Sequence, residues 1–151
     1  MIQKIVSGGQ TGVDRAALDI ALKRGIPCGG WCPLGRRAED GRLADSYPVT
    51  ETESEDYRQR TEWNVRDSDA TLILNQGPLQ GGTALTQNCA ERYRRPCMVL
   101  ALDEQDACDR ARGWLTENGV QVLNIAGPRE SKQPGIYRRT LFFLDRLLQS
   151  K

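Results

Sequence analysis

Residues 5–24 of the chain read IVSGGQTGVDRAALDIALKR, in which an apolar run meets a glycine cluster and then a helical pattern. The apolar segment 2–7 predicts a strand, and the alanines and leucines of 13–24 repeat at the spacing of one helix face. Gly25 then supplies the residue type that most often ends a helix. A strand, a glycine turn and a helix in this order predict a βαβ unit, and therefore an α/β protein.

The same alternation continues along the sequence. Four more strands are predicted at 26–30, 70–75, 96–102 and 120–126, and four more helices at 56–67, 83–94, 106–118 and 136–149. Residues 31–56 show no period and predict a long loop. We therefore expect one α/β domain over 1–151, with three layers and a five-stranded, mainly parallel sheet. The preferred strand order is 2-1-3-4-5, with the first and third strands adjacent at the switch point where such sheets bind ligands.

Composition excludes several classes of function. The 151 residues carry a net charge of only +1, which argues against nucleic acid held through its phosphates. No apolar run approaches the roughly 20 residues that cross a bilayer, so we expect no membrane partner. The five cysteines are odd in number and no secretory signal opens the sequence, which favours a cytoplasmic protein with reduced thiols. The absence of histidine excludes histidine bases and histidine metal ligands.

Two glycine-rich loops, 8–12 and 76–83, each follow a predicted strand and precede a predicted helix. Glycine permits sharp turns and close approach of a ligand to the backbone, and the unpaired N–H groups at a helix start favour an anion such as phosphate. If the glycines only make tight turns, no ligand is implied. We expect the loops to face each other and predict these ligand-binding residues: Gly8, Gly9, Gln10, Thr11, Gly12, Gly81, Gly82, Thr83 and Thr86.

Charged residues near these loops extend the predicted site. Asp14 and Arg15 fall in the first turn of the first helix. Asp14 either contacts a ligand or complements the helix dipole, and Arg15 either binds a phosphate or is an exposed helix residue. Arg36 and Arg37 belong to a charged loop, 35–42, predicted to close over an anionic ligand unless it is only a solvated loop. The loop 127–135 offers further basic residues, either to the ligand or to a neighbouring subunit. We predict no catalytic and no metal-ligating residues.

Four segments together resemble the molybdenum cofactor carrier protein family. They are 5–19 (IVSGGQTGVDRAALD), 30–41 (GWCPLGRRAEDG), 64–69 (NVRDSD) with 81–83 (GGT), and 124–131 (NIAGPRES). The resemblance covers nearly the whole chain. It implies a Rossmann-like fold, related to that of the lysine-decarboxylase-like phosphoribohydrolases. It also implies molybdenum cofactor, a phosphorylated pterin, as bound cargo, and a homo-oligomer, either a dimer or a tetramer.

One departure from the phosphoribohydrolases favours binding over hydrolysis. Their second glycine loop carries a glutamate that acts in N-glycosidic cleavage, and here its place falls on Thr86 or Asn88, according to the alignment. We therefore expect a binding protein that stores or transfers the pterin. The alternatives are a nucleotide-processing hydrolase with a relocated carboxylate, Glu39 or Asp14, and a sensor of a nucleotide ligand. Cys28 and Cys32 are either packing residues or, for Cys32, a thiolate near molybdenum.

Overall fold

A computed structural model describes residues 1–78 and 81–149. In this part of the chain the helices are α1 (Val13–Arg24), α2 (Tyr57–Arg66), α3 (Gly81–Arg92), α4 (Ala107–Glu117) and α5 (Ile136–Leu147). The strands are β1 (Lys4–Val6), β2 (Cys28–Gly29), β3 (Trp31–Cys32), β4 (Arg37–Ala38), β5 (Gly41–Arg42), β6 (Thr50–Glu51), β7 (Ala70–Asn75), β8 (Cys97–Ala101) and β9 (Val122–Ala126). Residues 79 and 80, which belong to the second predicted glycine loop, lie outside the described residues.

The main sheet has five parallel strands in the order β2-β1-β9-β7-β8. This confirms the Rossmann-like α/β fold, but the preferred order 2-1-3-4-5 is wrong. The last strand, β9, lies between β1 and β7, with Val6 opposite Asn124 and Leu72 opposite Ile125. Burial explains the difference: the interior residues of β9 are buried on both faces, as a central strand requires, whereas β8 is half-buried and forms an edge.

The two faces of the sheet differ in chemistry. Leu72 and Leu123 belong to the main apolar core, which α1, α4 and α5 cover. The neighbouring residues Thr71 and Asn124 are also buried, but their side chains alternate to the opposite face, on which α2 and α3 pack. One side of the sheet is therefore an apolar core, and the other side combines apolar and polar groups.

The segment 31–56 is more ordered than predicted. β3 pairs in parallel with β6, and β4 pairs antiparallel with β5 to form a hairpin. A small apolar cluster of Leu18, Cys32, Leu43 and Val49 fastens this segment to α1. The expectation of an unstructured loop was wrong because strands of two residues are too short to produce a recognisable period.

Truncation of Leu123 to alanine tests the central position of β9. Leu123 has no exposed surface, so L123A is expected to lower the free energy of unfolding by about 2–5 kcal/mol. The matched control is L22A on α1, where the side chain is 46% exposed, with an expected change within about 0.5 kcal/mol. Urea unfolding followed by circular dichroism measures both changes. Equal effects would contradict the assignment of β9 to the core.

Candidate ligand-binding cavity

A cavity of about 410 Å³ opens at the carboxyl ends of β9 and β7, beneath α2 and α3. Its lining contains Gly8 and Gln10 from the loop before α1, and Gly82 and Thr83 from the start of α3. Gly127, which follows the carboxyl end of β9, also lines the cavity, and β9 lies between β1 and β7 in the sheet. Residues from both glycine-rich loops thus reach one cavity, although a strand separates β1 from β7.

A buried ion pair forms one wall of the cavity. The Asp14 carboxylate accepts a hydrogen bond from the Arg60 guanidinium at 3.0 Å and another from the Gln10 N–H at 3.3 Å. The Asp14 and Arg60 side chains are 8% and 12% exposed. Burial raises the pKa of Asp14, and the neighbouring positive charge of Arg60 opposes that rise. The pair connects the first turn of α1 to α2.

Gly8 leaves the space that this ion pair occupies. A Cβ atom at Gly8 would stand 2.8 Å from Arg60 Cζ and 2.9 Å from Arg60 Cδ. Any side chain at this position would displace the arginine. The glycine is therefore required for close packing, and not for an unusual backbone angle.

Sequence reasoning missed the contribution of α2. Tyr57, Arg60, Thr61 and Asn64 all line the cavity, and they follow one another at helical spacing on one face. The sequence offered no periodic signal for these residues, because Arg58, Gln59 and Glu62 between them are polar as well.

The floor of the cavity was missed as well. It includes Asn124, a buried amide in the central strand β9. The Asn124 amide donates a hydrogen bond to the Thr71 hydroxyl at 3.2 Å. A buried polar residue inside a central strand indicates a site because burial of an amide has a cost that packing alone does not repay.

The third side of the cavity combines the start of α3 with a basic loop. Gly82, Thr83 and Thr86 line it from α3, and Arg129 and Lys132 line it from the loop after β9. The Thr86 hydroxyl donates to the Gly82 carbonyl at 3.1 Å, whereas no such bond engages the Thr83 hydroxyl within the described residues. Positive side chains therefore stand beside the amino end of a helix.

Other predicted ligand residues lie outside the cavity lining. Arg15 donates to the Gly9 carbonyl and forms a paired contact with Asp40 at 3.0 Å. Arg36 donates to four backbone carbonyls, those of Leu43, Ala44, Tyr47 and Val49. Arg37 is exposed and stands 3.6 Å from Glu55. The structure does not bring these three arginines to the cavity.

Gly9 and Gly12 shape the loop itself. Both have positive φ angles, 79° and 76°, which L side chains rarely adopt. A Cβ atom at Gly9 would lie 2.7 Å from the Leu43 side chain, and one at Gly12 would lie 2.8 Å from the Glu130 N–H nitrogen. These glycines allow the loop to pack against the neighbouring segments. Gly81 begins α3, next to residues outside the described part of the chain.

Two carboxylates, those of Glu39 and Asp40, attach the β4–β5 hairpin to the neighbouring segments. Glu39 accepts hydrogen bonds from the Thr11 hydroxyl and from the Ser131 N–H, and its own N–H donates to Gln10 at 2.7 Å. Gln10 also lines the cavity, so the hairpin is linked to the cavity wall. We call the contacts of Glu39 with Thr11 and Ser131, together with the Arg15–Asp40 pair, the hairpin latch.

Neither a metal centre nor a membrane span emerges from the described residues. Across 1–78 and 81–149, no three side chains of the histidine, cysteine, aspartate and glutamate types group as metal ligands. Within the same ranges no helix is long and apolar enough to cross a bilayer. Cys32 is buried in the small apolar cluster with Cys28 packed against it, and burial raises the pKa of both thiols.

The fold and the cavity define a Rossmann-like α/β protein with a cavity at the carboxyl edge of its sheet. The chain belongs to the circularly permutated YpsA SLOG family, whose model matches residues 5–148. It is also similar to a crystal structure from Syntrophus aciditrophicus SB that bears the name "putative molybdenum carrier protein". The two chains share 51% identity over 98% of this chain and 96% of the other, with a TM-score of 0.95. These matches confirm the family resemblance stated from the sequence. No curated protein matches the sequence.

Replacement of Glu39 by glutamine tests the hairpin latch through its pH dependence. Burial alone would raise the pKa of Glu39, but the hydrogen bonds from Ser131 and Thr11 more than offset it, so the pKa is lowered. A lowered pKa means that the ionised group stabilises the fold above its unfolded pKa of about 4.3, and that this stability disappears as the pH falls through the folded value. We expect E39Q to be less stable than the parent at pH 7, with a difference that shrinks below about pH 4.

Urea unfolding across this pH range measures the difference. The matched control is E53Q, because Glu53 is exposed and makes no hydrogen bond to the described residues. A stability difference for E39Q that is independent of pH would contradict the latch.

Proposed function

We propose that this protein binds a phosphorylated pterin, molybdenum cofactor, in the cavity and stores or transfers it. The observation that carries the proposal is the cavity's charge. Arg60, Arg129 and Lys132 line it, and Asp14 is the one carboxylate among the described lining residues. A volume of about 410 Å³ lies in the range of ordinary small-molecule sites, roughly 300–1,000 Å³.

The phosphate is assigned to the start of α3. The first N–H groups of a helix lack partners within it, and the helix dipole favours a negative charge at this end. Gly82 leaves the backbone accessible, since no atom of the described residues is recorded within 4 Å of where its Cβ atom would be. The Thr83 hydroxyl, Arg129 and Lys132 supply further donors on the same side. These groups favour an anion with several oxygen atoms.

The ring system is assigned to the wall formed by Asp14 and Arg60. Arg60 Nε is buried and has no hydrogen-bond partner among the described residues, so a ligand acceptor would satisfy it. The Asp14 carboxylate is an acceptor suited to the N–H edge of a pterin. The similarity to the protein named as a molybdenum carrier supports this choice of ligand.

A hydrolase acting on nucleotides is the second candidate, and the position of Asp14 favours it. Asp14 lines the cavity, and burial raises its pKa above the ordinary value of an aspartate, a perturbation that is common among residues of active sites. Glu39, the other carboxylate considered, does not line the cavity and serves the hairpin latch. We expect no release of free base when the protein is incubated with adenosine or guanosine monophosphate. Release that is abolished in D14N would replace the carrier proposal with the hydrolase.

Substitution of Gly82 by aspartate tests the phosphate site. An acidic residue suits the first turn of a helix, and its Cβ atom would meet no neighbour among the described residues, so the fold is expected to be retained. The new carboxylate would repel a bound phosphate, and the affinity for molybdenum cofactor should fall at least about tenfold, or ~1.4 kcal/mol. Anaerobic equilibrium dialysis, read by pterin fluorescence, measures the affinity.

The matched control for this substitution is G82N, which has nearly the same size and no charge. It is expected to retain most of the affinity. Equal affinities of G82D, G82N and the parent would show that the phosphate does not bind at the start of α3.

A further inference from the structure

The side-chain amide of Gln10 has a fixed orientation at the cavity wall. Its Oε1 accepts hydrogen bonds from the Thr11 N–H at 3.0 Å and from the Glu39 N–H at 2.7 Å. Since only the oxygen of an amide accepts hydrogen bonds, these two N–H groups determine which end of the amide is oxygen. The Nε2 group therefore lies on the opposite side as a donor, and it donates to no side chain or carbonyl of the described residues.

The carboxylate of Asp14 is divided in the same way. Its Oδ2 accepts from Arg60 and from the Gln10 N–H, whereas its Oδ1 accepts no hydrogen bond from the described residues. Asp14 and Gln10 are 5% and 6% exposed, and both line the cavity. Neither Asp14 Oδ1 nor Gln10 Nε2 is fully buried without a partner, so both atoms keep accessible surface. Two nearly buried residues thus offer an acceptor and a donor side by side.

The wall next to this pair carries flat groups. Arg60 Cζ lies over the Tyr57 ring, 5.2 Å from its centroid, and both residues line the cavity. Tyr57 is the one aromatic side chain among the described lining residues. A planar guanidinium and an aromatic ring suit a flat heteroaromatic ring, because both can stack on it. The fragment that fits here is therefore a flat ring whose edge carries N–H groups and a carbonyl oxygen.

We propose that Asp14 and Gln10 make the cavity selective for the 2-amino-4-oxopyrimidine ring, the unit that pterins and guanine share. Asp14 Oδ1 accepts from the N–H groups of this ring edge, and Gln10 Nε2 donates to its carbonyl oxygen. The inference rests on the proposed function, because it concerns the ring of the ligand bound in the same cavity. It extends that function to a second ligand, since guanosine monophosphate carries the same ring edge and a phosphate.

Adenine reverses both of these contacts. It places a ring nitrogen acceptor opposite Asp14 and an amino donor opposite Gln10, so that both buried groups lose their partners. Hypoxanthine keeps the ring N–H and the carbonyl but lacks the 2-amino group. A site that hydrogen-bonds a polar group of its ligand strongly rejects an analogue without that group. We therefore expect affinity to fall from guanosine to inosine to adenosine monophosphate.

The first test uses the parent protein and changes only the ligand. Isothermal titration calorimetry measures the affinity for the three nucleotides and for 6-hydroxymethylpterin phosphate. The guanosine nucleotide and the pterin phosphate should each bind at least about tenfold more tightly than the adenosine nucleotide. Because all three nucleotides carry the same phosphate, their ratios report on the ring alone. The guanosine nucleotide should also displace the pterin phosphate, which separates a shared site from two different sites.

The second test replaces Gln10 by glutamate, which changes the free donor into an acceptor of the same shape. The other carboxylate oxygen can still accept from Thr11 and Glu39. The competing ligand is 2,6-diaminopurine riboside monophosphate, in which an amino group replaces the carbonyl of guanine. The parent should prefer the guanosine nucleotide by about tenfold, and Q10E should lose most of this preference.

The ratio of the two affinities separates specificity from folding. A structural defect in Q10E would lower both affinities together and leave their ratio unchanged. The matched control is Q3E, which makes the same change of charge at an exposed position outside the described cavity lining and should keep the preference of the parent. Circular dichroism verifies that Q10E is folded, and the nucleotide series on the parent does not depend on this variant.

Three outcomes would overturn the inference. One is a parent protein that binds the adenosine nucleotide as tightly as the guanosine nucleotide. Another is a parent that binds neither the guanosine nucleotide nor the pterin phosphate at millimolar concentration. The third is a folded Q10E that keeps the preference of the parent. Binding of molybdenum cofactor without selectivity for the ring would overturn this inference alone, whereas selectivity for guanine in a protein that does not bind the cofactor would overturn the carrier proposal alone.

Discussion

The ion pair between Asp14 and Arg60 is the interaction on which the site depends. It joins α1, the glycine loop before it and α2, and it forms the cavity wall at the place that Gly8 leaves open. Both side chains are nearly buried, so loss of either would leave the other charge uncompensated, at a cost of about 3–5 kcal/mol. Arg60 Nε is still without a partner in the described structure. The pair therefore links α1 to α2, and it leaves Arg60 Nε available to a ligand acceptor.

The cavity follows from the unequal faces of the sheet. On one face, Leu72, Leu123 and Ile125 pack under α1, α4 and α5 and supply most of the hydrophobic stabilisation. On the other face, Val65 of α2 and Cys89 of α3 belong to a smaller apolar cluster, and the buried polar residues Thr71 and Asn124 lie in the strands of the sheet, with Asn124 lining the cavity. The helices that cover the polar face carry polar residues of their own. One face of the sheet therefore carries the main apolar core, and the other face carries the cavity.

Local patterns in the sequence were sufficient for the elements but not for their arrangement. Glycine loops and helix periods follow from neighbouring residues, and they predicted the α/β class and both segments that reach the cavity. The position of β9 depends on pairing between strands far apart in sequence, which no local pattern records. The arginines show the same limit: Arg36 has the charge expected of a ligand residue, but it binds four carbonyls of its own loop, whereas Arg60 was found only by its place on α2.

A crystal structure of the protein grown with molybdenum cofactor, with anomalous data collected at the molybdenum edge, tests the central claim most directly. The account predicts a single molybdenum peak in the cavity, with the phosphate at Gly82 and Thr83 and the pterin ring beside Asp14 and Arg60. A ligand bound outside this cavity, or a cavity that stays empty in crystals saturated with the cofactor, would contradict it.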